Sequence, residues 1–239
     1  MNRFTINERL KLNKIPFPDE LSEKLEVYLR MLQDWNTRMD LTADAEDEEI
    51  LDRHFADSLS VLRTDLVAWN VSLIDVGTGA GFPGMVLAMA RPDLQVTLLD
   101  ALQKRLNFLE AVLKETGTSN VVLLHARAED GARESHHREQ YDIATARAIA
   151  PLNVLCEYML PYVKKGGLAL CWKGPSLKEE LEEGKKAAKM LGGRLEEPVS
   201  CPVYGQKWEH TILPVRKTEK TAPAYPRKAG TPKAKPLGD

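Results

Sequence analysis

The sequence predicts an α/β fold built on a doubly wound, mostly parallel sheet of seven strands. Short apolar runs alternate with helical patterns from residue 72 onward, as in a parallel sheet that helices cover on both faces. The first run, 73–76, leads into the glycine-rich sequence GTGAGFPG at 77–84, as the first strand of a nucleotide-binding sheet does. A chain of 239 residues is long enough to bury one such core.

Two amphipathic helices precede the first predicted strand. Apolar residues recur at spacings of three and four in residues 19–39, behind the Pro16-Phe17-Pro18 breaker, and again in about 47–62. Because these helices come before the strand–helix repeat, we expect residues 1–70 to form an N-terminal helical cap. Their inward residues are expected to be Leu21, Leu25, Tyr28, Leu32 and Trp35, then Ile50, Leu51, Phe55, Leu59 and Leu62.

The strand–helix repeat is expected to form one domain at 71–216. Five strands are predicted to be parallel, and two later strands joined by a glycine-containing loop predict an antiparallel C-terminal hairpin. The parallel strands are 73–76, 96–99, 121–124, 142–146 and 168–172, the helices lie near 83–90, 102–116, 151–161 and 176–191, and the hairpin strands are 195–203 and 211–215.

The net charge of −2 conceals an uneven distribution. Residues 44–49 form an acidic run that begins at Asp44, whereas 217–239 is a basic, proline-rich tail. Such a composition predicts a tail without a core of its own. Lys and Arg displace counterions from phosphates, so the tail fits an RNA partner, although a merely solubilising tail would have the same composition.

Other features argue against secretion, membrane insertion and metal binding. The first 14 residues scatter charges among their apolar positions, and no later run approaches the length of a membrane span. Cys156, Cys171 and Cys201 are odd in number, far apart and without CxxC spacing, which disfavours a disulfide framework or a zinc site. We therefore expect a cytoplasmic protein that binds neither membrane nor metal.

The glycine-rich turn is the strongest local signal for a cofactor. Gly77, Gly79 and Gly81 remove side chains that would keep a ligand from the backbone, and the following helix offers unpaired N–H groups. Residues 79–84 also satisfy GxGxxG, so a dinucleotide-dependent oxidoreductase must be considered. Against it stands Asp75, because a carboxylate there suits a ligand that carries an ammonium group and would repel a pyrophosphate.

Acidic residues also follow the next two strands. Asp100 ends the second strand, where an acid can accept hydrogen bonds from the ribose hydroxyls of either cofactor. Glu129 follows the third strand, where it could read an adenine edge. Three acids after three successive strands favour S-adenosylmethionine over NAD. Taken singly, Asp75 could cap a loop, Asp100 could cap a helix and Glu129 could be a solvated surface acid.

The fourth predicted strand leads to Arg147, at the sheet edge where ligands bind in such folds. Residues 145–151 differ from the Asn-Pro-Pro-Tyr type loop of exocyclic amine methyltransferases, and Cys156 and Cys201 sit where buried cysteines are usual. A ring nitrogen such as guanine N7 has a free lone pair and needs no general base. Arg147 is the candidate catalytic residue, with a surface ion pair as the alternative. Lys104, Arg105 and Lys173 are candidate phosphate contacts, although a solvated basic face explains Lys104 and Arg105 nearly as well.

These residues together resemble a known family, the bacterial small-subunit ribosomal RNA guanine-N7 methyltransferases, also called glucose-inhibited division protein B. The resemblance covers nearly the whole chain from about Leu21, and it is specific in combination. It rests on Trp35-Asn36, Leu41-Thr42, the segments 54–59, 75–84 and 225–232, Lys104-Arg105, Phe108-Leu109, Arg127-Ala128-Glu129 and Thr145-Ala146-Arg147-Ala148.

The resemblance implies a class I, Rossmann-like methyltransferase fold with S-adenosylmethionine as donor. The implied acceptor is N7 of a guanine in 16S ribosomal RNA, either naked or in the small-subunit particle, and we expect a monomer. The family's cofactor contacts fall on Gly77, Phe82, Ala128, Glu129 and Arg147.

The resemblance also draws attention to His54 and Asp57, on the helix nearest the glycine turn. We expect them to seat the cap through helix-packing hydrogen bonds rather than to take part in catalysis. The sequence departs from the family at Asp40, where Asn is usual before Leu-Thr. A noncatalytic ribosome-binding protein that kept the methyltransferase fold is the remaining alternative.

Overall fold

The computed structural model describes residues 3–43, 46–208 and 210–238, so Asp44 of the acidic run lies outside the described residues. In this part of the chain, eight strands form one sheet. The strands are β1 (Ser72–Val76), β2 (Gln95–Asp100), β3 (Val121–His125), β4 (Tyr141–Arg147), β5 (Val163–Lys173), β6 (Gly193–Leu195), β7 (Val199–Ser200) and β8 (Thr211–Lys217).

The strand order is β3-β2-β1-β4-β5-β8-β6, with β7 also paired to β8. The strands from β3 to β5 run parallel to one another, and β8 is antiparallel to β5. The chain therefore winds outward from β1 in one direction and from β4 in the other. Ligands bind beside the carboxyl ends of the strands at such a reversal. The predicted class I α/β architecture is confirmed.

The antiparallel edge differs in detail from the predicted hairpin. β6 pairs with one end of β8 and β7 with the other, so the two short strands share one position and the sheet is seven strands wide. The predicted strand at 195–203 is thus interrupted after Leu195. Pro198 lies in the interruption and has no N–H for a ladder hydrogen bond, which explains the break.

The helices before the sheet were predicted in part. Helix α2 (Leu21–Asn36) and a helical segment at 47–63 match the apolar spacing, whereas α1 (Arg3–Leu12) was missed. The segment at 47–63 contains a π-helical stretch, Leu51–Ala56, between α3 (Asp47–Ile50) and α4 (Asp57–Leu59). A π-helical turn holds an extra residue, so it rotates the side chains that follow, and such turns are frequent at functional sites.

Helices cover both faces of the sheet. On one face α5 (Gly84–Ala90) and α6 (Gln103–Thr116) pack with α2, and on the other lie α8 (Leu152–Met159) and α9 (Leu177–Met190). Leu25 and Tyr28 of α2 belong to the same buried cluster as Leu73 of β1 and Phe108 of α6. The cap and the sheet therefore share one hydrophobic core.

The C-terminal tail is folded back on the domain. Lys217 ends β8 with its side chain buried, and Pro226, Pro232 and Leu237 are also buried. A short helix, α10 (Thr231–Ala234), packs on α8. Proline and lysine content indicated a tail without its own core, and the tail instead adds apolar residues to the core of the domain.

Candidate functional site

Asp75 shapes the glycine-rich turn from below. Its Oδ2 accepts hydrogen bonds from the Thr78 hydroxyl (2.6 Å) and the Gly84 N–H (3.0 Å), and its Oδ1 accepts one from the Thr145 hydroxyl (2.8 Å). Burial raises the pKa of Asp75 above its ordinary value, and these hydrogen bonds oppose the rise. The residue is fully buried and holds the turn, and its expected contact with a ligand's ammonium group stays a prediction.

Gly77 and Gly79 form the more exposed side of the turn. Their φ angles of +71° and +61° lie in the left-handed region, which glycine adopts without strain. The Gly79 N–H donates to Asp100 Oδ2 at 2.9 Å, so the turn after β1 is tied to the end of β2. The backbone of this turn is thereby fixed.

Gly81 allows the turn to pack closely against the cap. It has φ +103°, and a Cβ atom added there would lie 2.9 Å from Leu109 Cδ2 and would meet the Tyr28 hydroxyl. Tyr28 is fully buried, and its hydroxyl donates to the Ala80 carbonyl. Burial also raises the pKa of Tyr28 well above its ordinary value. The contact of Tyr28 with the turn was not predicted, because the sequence shows only an inward-facing aromatic residue.

Asp100 has two structural partners beside Gly79. Its Oδ1 accepts the Leu102 N–H at 2.9 Å, just before α6, and Arg105 Nη1 lies 3.4 Å from its Oδ2. Leu102 is the N-cap of α6 and no side chain caps this helix, so the capping role considered for Asp100 is wrong; its carboxylate bonds the N–H of the N-cap residue instead. Arg105, expected to bind phosphate, is engaged with this carboxylate, while Lys104 is exposed on the same helix.

A first cavity of about 230 Å³ lies over the ends of β1, β2 and β3. Glu129 and Ala128 belong to α7 (Ala128–Gly131) and form one wall. Glu129 is 4% exposed, and its Oε1 accepts the N–H of Gly230 from the tail at 2.8 Å. The lining also includes Gly77, Asp100, Leu102, Arg127, Ile149 and Tyr158. The structure thus brings Gly77, Asp100, Ala128 and Glu129 together, and their role as cofactor contacts stays a prediction.

Arg147 belongs to a second cavity, of about 390 Å³. Its guanidinium donates to the Arg53 carbonyl (2.5 Å), Asp57 Oδ2 (3.0 Å) and His54 Nδ1 (2.5 Å). Residues 147–150 separate the two cavities, since Ile149 lines the first and Arg147, Ala148 and Ala150 line the second. The ion pair considered for Arg147 is present, with Asp57 as the partner. The Arg147 side chain is 14% exposed, however, and it faces a cavity rather than the open surface.

Phe82 and His54 connect the turn to this second cavity. The two rings are stacked with centroids 4.6 Å apart, and the Arg147 guanidinium lies 5.3 Å from the Phe82 centroid. An arginine can only donate, so His54 Nδ1 accepts, and in the neutral ring its Nε2–H donates to the Thr42 hydroxyl at 2.9 Å. Phe82 thus supports the second cavity from beneath rather than lining the first.

His210 is a further residue of this cluster that sequence reasoning missed. Its Nδ1 lies 2.7 Å from Asp57 Oδ1, and the Trp172 indole donates to the Asp57 carbonyl at 3.3 Å. Asp57 is fully buried and is bonded from two directions, by His210 and Arg147. His210 follows β7 in a segment with no motif, so the sequence offered no signal for it.

Lys173 has a protein partner, and the cysteines are buried. Lys173 lines the second cavity, its Nζ lies 2.5 Å from Glu180 Oε2 and its side chain is 8% exposed, and its expected phosphate contact stays a prediction. Burial raises the pKa of Cys171 to about 12 and that of Cys156 well above its ordinary value, which fits the expectation that no cysteine acts as nucleophile. Among the described residues, no cluster of three or more His, Cys, Asp or Glu side chains could hold a metal ion. No helix in this part of the chain is long and apolar enough to cross a membrane.

Comparison with known proteins gives one consistent result. A family model described as "GidB: rRNA small subunit methyltransferase G" matches residues 21–209. "Ribosomal RNA small subunit methyltransferase G" of Clostridium botulinum (strain Eklund 17B / Type B) is 46% identical over 218 residues, covering 91% of each chain. The protein of the same name from Alkaliphilus metalliredigens is 46% identical over 219 residues, covering 92% of each chain.

Solved structures of low sequence identity share the fold. M. jannaschii TYW2 in complex with AdoMet is 14% identical with a TM-score of 0.54, covering 74% of this chain and 79% of that one. The YcgJ protein from Bacillus is 14% identical with a TM-score of 0.52, covering 69% of this chain and 98% of that one.

Proposed function

The chain belongs to the rRNA small subunit methyltransferase G family, and we propose that it methylates N7 of a guanine in 16S ribosomal RNA with S-adenosylmethionine as donor. The single observation that carries this is the match of the family model to residues 21–209, which include both cavities' sheet residues. The GxGxxG turn alone would also suit a dinucleotide, and family membership decides between the two cofactors.

The first cavity fits the nucleoside end of the donor. Asp100 and Glu129 present carboxylates at the ends of neighbouring elements, where ribose hydroxyls and an adenine amino group would find acceptors. The bare backbone at Gly77 leaves room beside Ile149, whose side chain would lie 3.2 Å from a Cβ atom added there. When bound, the donor supplies a methyl group made reactive by a sulfonium charge. We assign Gly77, Gly79, Asp100, Ala128 and Glu129 to holding it.

The second cavity fits the acceptor base. N7 of guanine attacks through a free lone pair and loses no proton, so the chain has to position the base rather than deprotonate it. Arg147 is suited to that task because Arg53, His54 and Asp57 hold its guanidinium in one position. A flexible surface arginine would not be held in this way. The narrow wall at 147–150 would bring the two ligands within reach of each other. Arg147 is therefore our candidate for the residue in contact with the reacting groups.

The remaining parts of the chain fit an enzyme that works on RNA. We propose that residues 1–70 act as a cap over the glycine turn, that 71–216 carry the transfer reaction and that 217–239 contribute basic residues to RNA binding. Lys228, Lys233 and Lys235 of the last segment are exposed. We expect the protein to act as a cytoplasmic monomer on 16S RNA or on the small-subunit particle.

The test is transfer of a labelled methyl group from S-adenosylmethionine to small-subunit RNA, naked and in particles, from cells that lack this gene. Mass mapping of the RNA should find 7-methylguanosine at a single position. Binding of the donor with no transfer to either substrate would favour a noncatalytic ribosome-binding protein. Binding of NAD or NADP without binding of S-adenosylmethionine would refute the proposal.

A further inference from the structure

The segment 225–232, sequence YPRKAGTP, is here named the clasp. It was expected to lie in a free basic tail, yet it crosses α8 and ends beside the first cavity. Its function is not explained by RNA binding through exposed lysines, because its best-bonded residues face inward.

Arg227 attaches the clasp to α8. Its guanidinium donates from Nε to Glu157 Oε1 and Oε2 (3.0 and 3.1 Å) and from Nη2 to Oε2 (2.6 Å), and its own N–H donates to Oε1 at 2.7 Å. Glu157 is fully buried, so Arg227 neutralises a carboxylate that would otherwise be costly to bury. This planar, bidentate pairing is specific for a guanidinium. The attachment is therefore sensitive even to lysine.

A second attachment lies just before Arg227. Arg138 Nη1 donates to the Tyr225 carbonyl at 2.8 Å, and Arg133 Nη2 donates to the Pro226 carbonyl at 2.5 Å. Pro226 is buried. The start of the clasp is consequently fixed by the side chains of Arg133 and Arg138. These two residues follow α7, the helix that carries Glu129.

The C-terminal part of the clasp reaches the first cavity at Gly230. Its N–H donates to Glu129 Oε1 at 2.8 Å, and its φ of +84° directs the chain into α10. No hydrogen bond joins Glu129 Oε2 to any described residue, although Glu129 itself lines the cavity. The clasp thus occupies one carboxylate oxygen and leaves the other for a ligand.

We propose that the clasp is a positioning element of the first cavity, in which the Gly230 N–H orients the Glu129 carboxylate toward the adenine or ribose of a bound nucleoside. The identity of that ligand rests on the proposed function, whereas the attachment of Glu129 by the clasp does not. Tyr158 and Glu157 are adjacent on α8, one lining the cavity and the other binding Arg227, so movement of the clasp is transmitted to two walls of the cavity.

The experiment uses two substitutions in the full chain, each with a matched control. Gly230→Ala strains a left-handed residue with no atom near the added Cβ, and Gly166→Ala does the same at φ +90° on β5, away from the cavity. Arg227→Lys removes the bidentate pair with Glu157, and Arg216→Lys removes the bidentate pair with Glu196 at the antiparallel edge. Each clasp variant and its control therefore make the same chemical change at different places in the fold.

Both clasp variants should raise the dissociation constant for S-adenosylhomocysteine, measured by calorimetry, about 5- to 10-fold, because each displaces the Gly230 N–H from Glu129 and weakening of one oriented hydrogen bond changes affinity by that order. The KM for S-adenosylmethionine should rise in parallel, with kcat at saturating donor within about twofold of wild type. Both controls should bind like wild type even where their melting temperature falls. Wild-type affinity in both clasp variants, or equal weakening in the controls, overturns the inference.

Hydrogen exchange of residues 128–131 without ligand separates this inference from the proposed function. Gly230→Ala and Arg227→Lys should speed exchange there, and the control substitutions should not. If wild-type protein binds no S-adenosylhomocysteine, the proposed function fails, while the exchange data still decide whether the clasp holds Glu129. Unchanged exchange in both clasp variants overturns the inference regardless of ligand.

Discussion

Replacing Tyr28 with phenylalanine removes a single oxygen that joins the helical cap to the glycine turn. Tyr28 is fully buried, and its hydroxyl donates to the carbonyl of Ala80 within the turn. Its ring stacks on Phe82, with centroids 5.6 Å apart. The substitution keeps the ring and its packing, so the effect reports on the hydrogen bond.

The expected cost lies between the net value of one hydrogen bond and the larger penalty of leaving a buried carbonyl unpaired. A neutral hydrogen bond contributes about 1 kcal/mol to stability, and an unsatisfied buried acceptor costs about 1–3 kcal/mol. We therefore expect Tyr28→Phe to lower the free energy of unfolding by about 1–2 kcal/mol. Because Ala80 lies between Gly79 and Gly81, loosening it should also weaken binding of S-adenosylhomocysteine, by about 3- to 10-fold.

Urea unfolding measures the first effect and calorimetry the second. Tyr141→Phe is the matched control, because the Tyr141 hydroxyl lies 2.8 Å from His137 Nδ1 and 3.3 Å from the Thr97 hydroxyl, at the start of β4 and remote from the turn. It should lose stability without losing affinity. Wild-type affinity in Tyr28→Phe, or a similar affinity loss in Tyr141→Phe, would refute the view that the cap controls the turn.

Further outcomes follow from other parts of the structure. Arg147→Ala should lower methyl transfer at saturating donor by about 100-fold or more through misplaced reactants, and an unchanged rate would remove Arg147 from the active site. Gly81→Ala should destabilise the protein by roughly 2–4 kcal/mol in thermal unfolding, because strain at φ +103° and a clash add together, and a loss under 1 kcal/mol would contradict the packing. Hydrogen bonds from Arg91 hold the pKa of Asp93 below its ordinary value, so its contribution to stability is present above about pH 4 and is lost as the pH falls through the lowered pKa. Asp93→Asn should flatten that acid limb, and an unchanged limb would show that other groups produce it.

The fold was predictable because its signals are local. A parallel strand that is buried on both faces is a short apolar run, and the helix that follows is recognised by apolar residues three and four positions apart. The predicted strand 142–146 and the observed β4, Tyr141–Arg147, differ by one residue at each end. The interruption before β7 escaped prediction because Pro198 was taken as part of a continuous strand.

The site was predictable only where its residues lie at the ends of successive parallel strands. Gly77, Asp100 and Glu129 follow successive strands, so topology alone brings them to one edge of the sheet. His210 reaches Asp57 across 153 residues of sequence, and Gly230 reaches Glu129 across 101. No periodicity or spacing encodes such contacts. The tail was misjudged for a related reason, since composition describes solvation of an isolated segment and not its packing on a neighbour.

The residues around the cavities are held by segments that come from outside the parallel sheet. Tyr28 of the cap bonds the glycine turn, His210 from the antiparallel edge bonds Asp57 beside Arg147, and Gly230 of the clasp bonds Glu129. Each contact joins the site to a segment outside the parallel strands, and local opening of such a segment costs less free energy than global unfolding. Ligand affinity can therefore change while the sheet stays folded. If this division holds, substitutions at these positions will weaken donor binding in a protein whose sheet is still folded.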